Sequence, residues 1–163
     1  MTATRDLVHH NERYAAAFEH GELAAAPRLK VAIVTCMDAR IDPARVLGLE
    51  PGDAHVIRNA GGVVTDDALR SLSISQHHLG TQEIVVIQHT RCGLMTFTDE
   101  EFENELEGST GSRPPWRSHT FTDLEASVRE GVGRIRSDLF IARKDGVSGF
   151  VYEVETGRLR EVR

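Results

Sequence analysis

The sequence predicts an α/β fold: a mainly parallel central β-sheet flanked by helices, with an N-terminal helical arm and a C-terminal hairpin or edge strand. Three observations lead there. Short runs of branched apolar residues recur at residues 30–35, 55–57 and 83–88, and read as buried strands. Segments with helical spacing lie between them, and such alternation builds a parallel sheet covered by helices. A length of 163 residues fits a single domain spanning 1–163, since a chain of this size buries roughly 70% of its unfolded surface.

Taken in order, residues 5–19 place Leu7, Val8, Tyr14, Ala15 and Phe18 on one helical stripe. Nothing adjacent in sequence covers that stripe, so residues 1–27 pack either on their own domain or on another subunit. After Pro27 comes the first strand, and residues 41–49 read as a short helix ended by Pro51-Gly52. A brief second strand is followed by the turn Asn59-Ala60-Gly61-Gly62. Thr65 is the expected N-cap of the next helix, with Asp66 and Asp67 in a first turn where negative charge is favoured. Leu69, Leu72, Gln76 and Leu79 follow at helical spacing, and Gly80 suits the position just past its end. Beyond the third strand, Thr98 with Glu101 and Thr122 with Glu125 match the capping-box pattern. The second of these helices is expected to carry Leu124, Val128, Val132, Ile135 and Leu139. Between the two lies a Gly/Pro/Ser-rich loop whose Trp116 reads as a packing anchor. Residues 149–162 form a hairpin around Thr156-Gly157.

Composition excludes several function classes. A net charge of -6 without any Lys/Arg block argues against binding to a phosphate backbone, so no nucleic-acid partner is expected. No apolar stretch approaches the ~18 residues of a membrane span. The N-terminal segment has no apolar core of a secretory signal. With only two cysteines and no export signal, reduced thiols in the cytoplasm are the expectation.

The chemistry-bearing residues stand just after the strands, at the end of a parallel sheet where ligands gather. Val31-Ala32-Ile33-Val34 leads to Cys36, and Ile84-Val85-Val86-Ile87 leads to His89 and Cys92. Two soft thiolates and one imidazole suit Zn2+, and three protein ligands leave its fourth position open. Zinc with an open position lowers the pKa of bound water and makes a hydroxide nucleophile. Asp38 and Arg40 follow Cys36 at alternate positions, so in an extended segment the three would share one side. The aspartate would then accept a hydrogen bond from the bound water, and the arginine would hold it off the metal by a bidentate pair.

Cys36-Met37-Asp38-Ala39-Arg40, Arg58-Asn59-Ala60-Gly61-Gly62 and His89-Thr90-Arg91-Cys92-Gly93, each after an apolar strand, together resemble the signature of the β-class carbonic anhydrases. The resemblance implies zinc held by Cys36, His89 and Cys92, Asp38 and Arg40 as the catalytic dyad, and reversible hydration of carbon dioxide to bicarbonate. Asp38 would be a fourth ligand only in a closed state. It also implies a homodimer or dimer of dimers whose N-terminal arm crosses to the partner, and a substrate pocket walled near Gly61 and Gly62. Members regulated by bicarbonate have Trp three positions before the first ligand and Val after the dyad arginine. Here Ile33 and Ile41 stand there, which implies an open form with Asp38 paired to Arg40.

Two other readings share the ligand set. Some relatives hydrolyse carbonyl sulfide or carbon disulfide, linear molecules nearly isosteric with carbon dioxide. A zinc or redox sensor would instead pair Cys36 with Cys92 on oxidation, and such a sensor has no need of Asp38 and Arg40. The pair Arg58 and Asn59 either fixes the turn before Gly61 or lines the pocket. His55 and the other histidines are expected to be solvated or packed, and the run Asp99-Glu100-Glu101 to open a helix.

Overall fold

A computed structural model describes residues 2–163. Five strands, β1 (Val31–Cys36), β2 (Ala54–Asn59), β3 (Glu83–His89), β4 (Val147–Tyr152) and β5 (Leu159–Val162), form one sheet in the order β2-β1-β3-β4-β5. All neighbours are parallel except β4 and β5, which make the expected C-terminal hairpin. The helices are α1 (Ala3–Ala16), α2 (Pro43–Leu47), α3 (Asp66–Leu79), α4 (Asp99–Thr110) and α5 (Leu124–Ser137).

Alternation along the strands gives each sheet face its own core. On one face Ala32, Val34, Ile84, Val86 and Val147 pack under Leu72 of α3 and Ile135 of α5. Leu72 and Ile135 are fully buried, and each such side chain contributes about 1.5–3 kcal/mol by leaving water. On the other face Ile33, Ile87 and Tyr152 meet Ile41 and Leu94, with Val46 and Leu47 of α2 against them.

Capping explains most helix starts. Thr65 accepts the Ala68 N–H at 3.2 Å, and Thr98 with Glu101 forms the full capping box. The N-terminal helix runs over Ala3–Ala16 rather than 5–19, β2 and β3 are longer than expected, and three further boundaries differ for identifiable reasons. The short helix begins at Pro43 rather than 41, because Asp42 caps it and proline suits its first turn. Asp123, not Thr122, caps α5 by accepting the Ala126 N–H, and both residues are chemically able to do so. Leu139 lies beyond the end of α5 and is 88% exposed, so it leaves the predicted apolar face.

The N-terminal helix α1 buries none of its residues. Leu7, Val8 and Tyr14, together with Phe18 just past its end, are all exposed. Of the two placements open to this stripe, packing on its own chain is not what the structure has.

Candidate metal centre

The order β2-β1-β3 puts the ends of β1 and β3 side by side, which brings together residues more than fifty positions apart in sequence. Cys36 closes β1, His89 closes β3, and Cys92 follows on the next turn. Their ligand atoms all lie within 4.8 Å of one another, and all three residues are buried. A tetrahedral zinc ion with bonds of about 2.0–2.3 Å spans ligand pairs of roughly 3.5 Å, so the cluster needs only a small inward adjustment.

The imidazole is already committed to one tautomer. His89 Nδ1 donates to the Thr90 carbonyl at 2.9 Å, since a carbonyl can only accept. Nε2 is therefore the lone-pair nitrogen, and it is buried without a hydrogen-bond partner. An orphaned acceptor facing two sulfurs is costly unless something positive binds it. The thiols add to that demand. Cys36 is driven towards thiolate, chiefly by the Cys92 S–H, then against its burial by His89 and the Asp38 and Gly61 amides. Cys92 is correspondingly pushed up, chiefly by the hydrogen bond its S–H gives to Cys36 and then by burial. Burial lowers the proton affinity of His89, but the nearby Cys36 sulfur, the Thr90 carbonyl and Asp38 together outweigh it and the net shift is upward. Together the three donors favour a cation, and soft sulfur with neutral nitrogen fits zinc.

Asp38 and Arg40 form the bidentate pair expected of them. Arg40 Nε donates to Asp38 Oδ1 at 2.9 Å and Nη2 to Oδ2 at 2.7 Å. Arg40 holds the Asp38 carboxyl well below the usual carboxylate range. Asp38 Oδ2 stands 3.8 Å from His89 Nε2, beside the ligand cluster. The route to this geometry differs from the expected one. Residues 37–40 are not extended; the Arg40 N–H also reaches Asp38 Oδ1, and Ile41 N–H reaches the Asp38 carbonyl. A turn, rather than strand pleat, aims the pair at the site.

Arg58 clamps that turn, donating to the Cys36 carbonyl at 2.9 Å and the Asp38 carbonyl at 2.8 Å, and with Asn59 it also lines the cavity beside the cluster. Asn59 fixes its own turn by donating to the Val63 carbonyl. Gly62 has φ +62, and a Cβ there would lie 2.8 Å from Cys36 N and 3.0 Å from Ile87 O. Only glycine lets this turn sit against both ligand-bearing strands. Gly61, at φ +77, leaves no room for a Cβ beside Leu94.

A cavity of about 680 Å³ opens onto the cluster, with Cys36, Asp38, Gly61 and Cys92 in its wall. Its remaining lining is mostly apolar, including Ile57, Val63, Leu94, Phe97 and Trp116. Trp116 packs on Phe102, ring centroids 6.4 Å apart, and forms part of this wall. Among the other histidines, His55 packs on Ser75 and the Ala25 carbonyl, whereas His119 lines the cavity. Thr90 and Glu155 were not singled out by the sequence; the contact between them joins the β4–β5 turn to the ligand loop at 2.8 Å.

Comparison with known proteins gives a consistent result. Residues 31–159 match the carbonic anhydrase family. The chain is 48% identical over 162 residues to beta-carbonic anhydrase 1 of Mycobacterium tuberculosis, covering 99% of each. It is 37% identical over 155 residues to a carbon disulfide hydrolase of an Acidianus species, covering 79% of this chain and 75% of the relative. The crystal structure of a carbonic anhydrase from Streptococcus mutans covers 100% of this chain and 99% of its own, with a TM-score of 0.94 at 44% identity. On motif, fold and near-full-length similarity, the chain belongs to the β-carbonic anhydrase family.

Proposed function

We propose that this protein catalyses the reversible hydration of carbon dioxide to bicarbonate and a proton, with zinc held by Cys36, His89 and Cys92. The observation that carries the reading is the buried, unpartnered Nε2 of His89 converging with two sulfurs beside a paired Asp38 and Arg40. When bound, zinc would supply hydroxide from water near neutral pH for addition to the carbon of the substrate.

The chain's own residues divide the remaining work. Asp38, kept ionised by Arg40, accepts a hydrogen bond from a water at the site and fixes its orientation. Arg40 keeps the carboxylate engaged and so off the metal, which would leave the fourth position to water. The apolar wall beyond Gly61 suits a small linear molecule without a strong dipole, whereas Gly62 is not part of that wall and packs against β1 and β3. Thr90 holds the His89 ring through Nδ1, which keeps Nε2 aimed at the cluster.

The assembly we propose is a homodimer or dimer of dimers. A 14-residue helix is marginal alone in water, and α1 buries nothing on its own chain. Its exposed apolar stripe fits a second copy. Two free, buried thiols fit a reducing cytoplasm.

Stopped-flow carbon dioxide hydration on protein of measured zinc content tests the reading. Turnover should scale with zinc and climb from about pH 6.5 to about pH 9, because two thiolates withdraw less charge from the metal than imidazoles do. Absence of turnover at full zinc occupancy would refute it. The similarity to a carbon disulfide hydrolase supports one second reading, hydrolysis of carbonyl sulfide or carbon disulfide at the same site. Sulfide release assayed in parallel separates the two.

A further inference from the structure

We infer that Glu155 is a positioning residue for the metal centre: from the β4–β5 turn it clamps the short segment Thr90–Arg91, on which both the His89 ring and Arg40 depend. The inference rests on the proposed metal-binding reading of Cys36, His89 and Cys92.

Glu155 grips this segment twice. Its Oε2 accepts the Thr90 hydroxyl at 2.8 Å, and its Oε1 pairs with Arg91 Nε at 2.5 Å. The Thr90 hydroxyl accepts in turn from the Val154 N–H at 3.1 Å, and the Thr90 N–H donates to the Tyr152 carbonyl. The hairpin therefore holds Thr90 by backbone and side chain together.

What the segment offers to the site is its two successive carbonyls. The Thr90 carbonyl accepts His89 Nδ1–H at 2.9 Å and so sets the tautomer and ring plane. The Arg91 carbonyl accepts Arg40 Nη2 at 2.9 Å, the same nitrogen that donates to Asp38 Oδ2. One strained residue joins them: Arg91 has φ +54, a left-handed conformation that side chains other than glycine rarely adopt. Such a conformation persists only where the surroundings over-determine it. Glu155 supplies that restraint from outside the site, and through it the hairpin reaches a proposed ligand and the dyad at once.

The ion pair itself is exposed, with Arg91 71% and Glu155 38% accessible. Exposed pairs contribute little to global stability. A merely structural role therefore predicts almost no effect of replacing Glu155, whereas a positioning role predicts a change at the metal. Removing groups that orient metal ligands weakens metal binding by about 10- to 100-fold.

The test compares zinc-loaded wild type with Glu155→Gln and Glu155→Ala. The readouts are zinc loss to excess chelator, the visible spectrum after replacement by Co2+, and thermal unfolding. Glu155→Ala should lose zinc at least about tenfold faster with little change in Tm, and its Co2+ bands should shift. Glu155→Gln keeps an acceptor for Thr90 but loses the charge facing Arg91, and should fall between. Wild-type rates and spectra in both variants overturn the inference, as does loss that merely tracks faster unfolding. If wild type itself binds no stoichiometric metal, the metal reading fails and this inference fails with it.

Discussion

Arg40 engages Asp38 through both carboxylate oxygens while the same Nη2 reaches the carbonyl of Arg91. The guanidinium is thus pinned between the turn after β1 and the loop after β3, and Asp38 has one settled position. Replacing Arg40 by Ala should release Asp38 towards the metal and cut carbon dioxide hydration by about 10- to 100-fold, with zinc still bound. Lys should restore little, because an ammonium cannot reproduce the fork. Near-normal turnover of a zinc-replete Arg40→Ala protein would show that the pairing does not keep the site open.

Stripping the metal gives a second expectation. The buried His89 Nε2 and the adjacent thiols lose their proposed counter-charge, so the chelated protein should unfold at lower temperature and regain its Tm with added Zn2+. In His89→Ala the zinc stoichiometry measured by atomic absorption should fall well below one. Full occupancy in that variant would place the metal elsewhere.

Acid should weaken the fold through Asp99. Burial raises its carboxyl, but the Thr120 N–H and hydroxyl, with Arg117 and His119, outweigh this and the net shift is downward. A carboxyl lowered in the folded state binds fewer protons folded than unfolded. Its stabilisation is present above the unfolded value of about 4 and drains away as pH falls below it. Asp99→Ala should cost about 1–3 kcal/mol at pH 7 by leaving Thr120 without its acceptor, and the deficit should shrink towards pH 3. Urea titrations of both proteins at the two pH values measure it.

The N-terminal helix carries the assembly prediction. Leu7→Glu with Tyr14→Ala should shift the protein to monomer in sedimentation velocity at micromolar concentration. Both residues are exposed in the single chain, so the substitutions cost the monomer little. An unchanged sedimentation coefficient would mean α1 is not the contact.

Much of this was legible in the sequence because the cues are local. Branched apolar runs mark β1 and β3, and the first residues after them carry the donors. Thr65 and Thr98 announce their helices by capping chemistry. Where two capable caps are adjacent, as with Thr122 and Asp123, local chemistry does not choose between them, and the structure has Asp123 as the cap. The clamp by Arg58 and the grip of Glu155 on Thr90 were not readable. The first is made to backbone carbonyls, which leave no pattern in side-chain identity, and the second joins side chains sixty-five positions apart.

Because β1 and β3 are hydrogen-bonded neighbours paired as far as Thr35 opposite Ile87, Cys36 stands one residue and His89 two residues beyond that last pair, on adjacent strand ends. The main chain thus brings these two proposed ligands together, while the third, Cys92, is supplied by the loop that follows. Remodelling the outer loops can therefore alter approach, charge and the place of Cys92 while leaving those two strand ends where the ladder holds them.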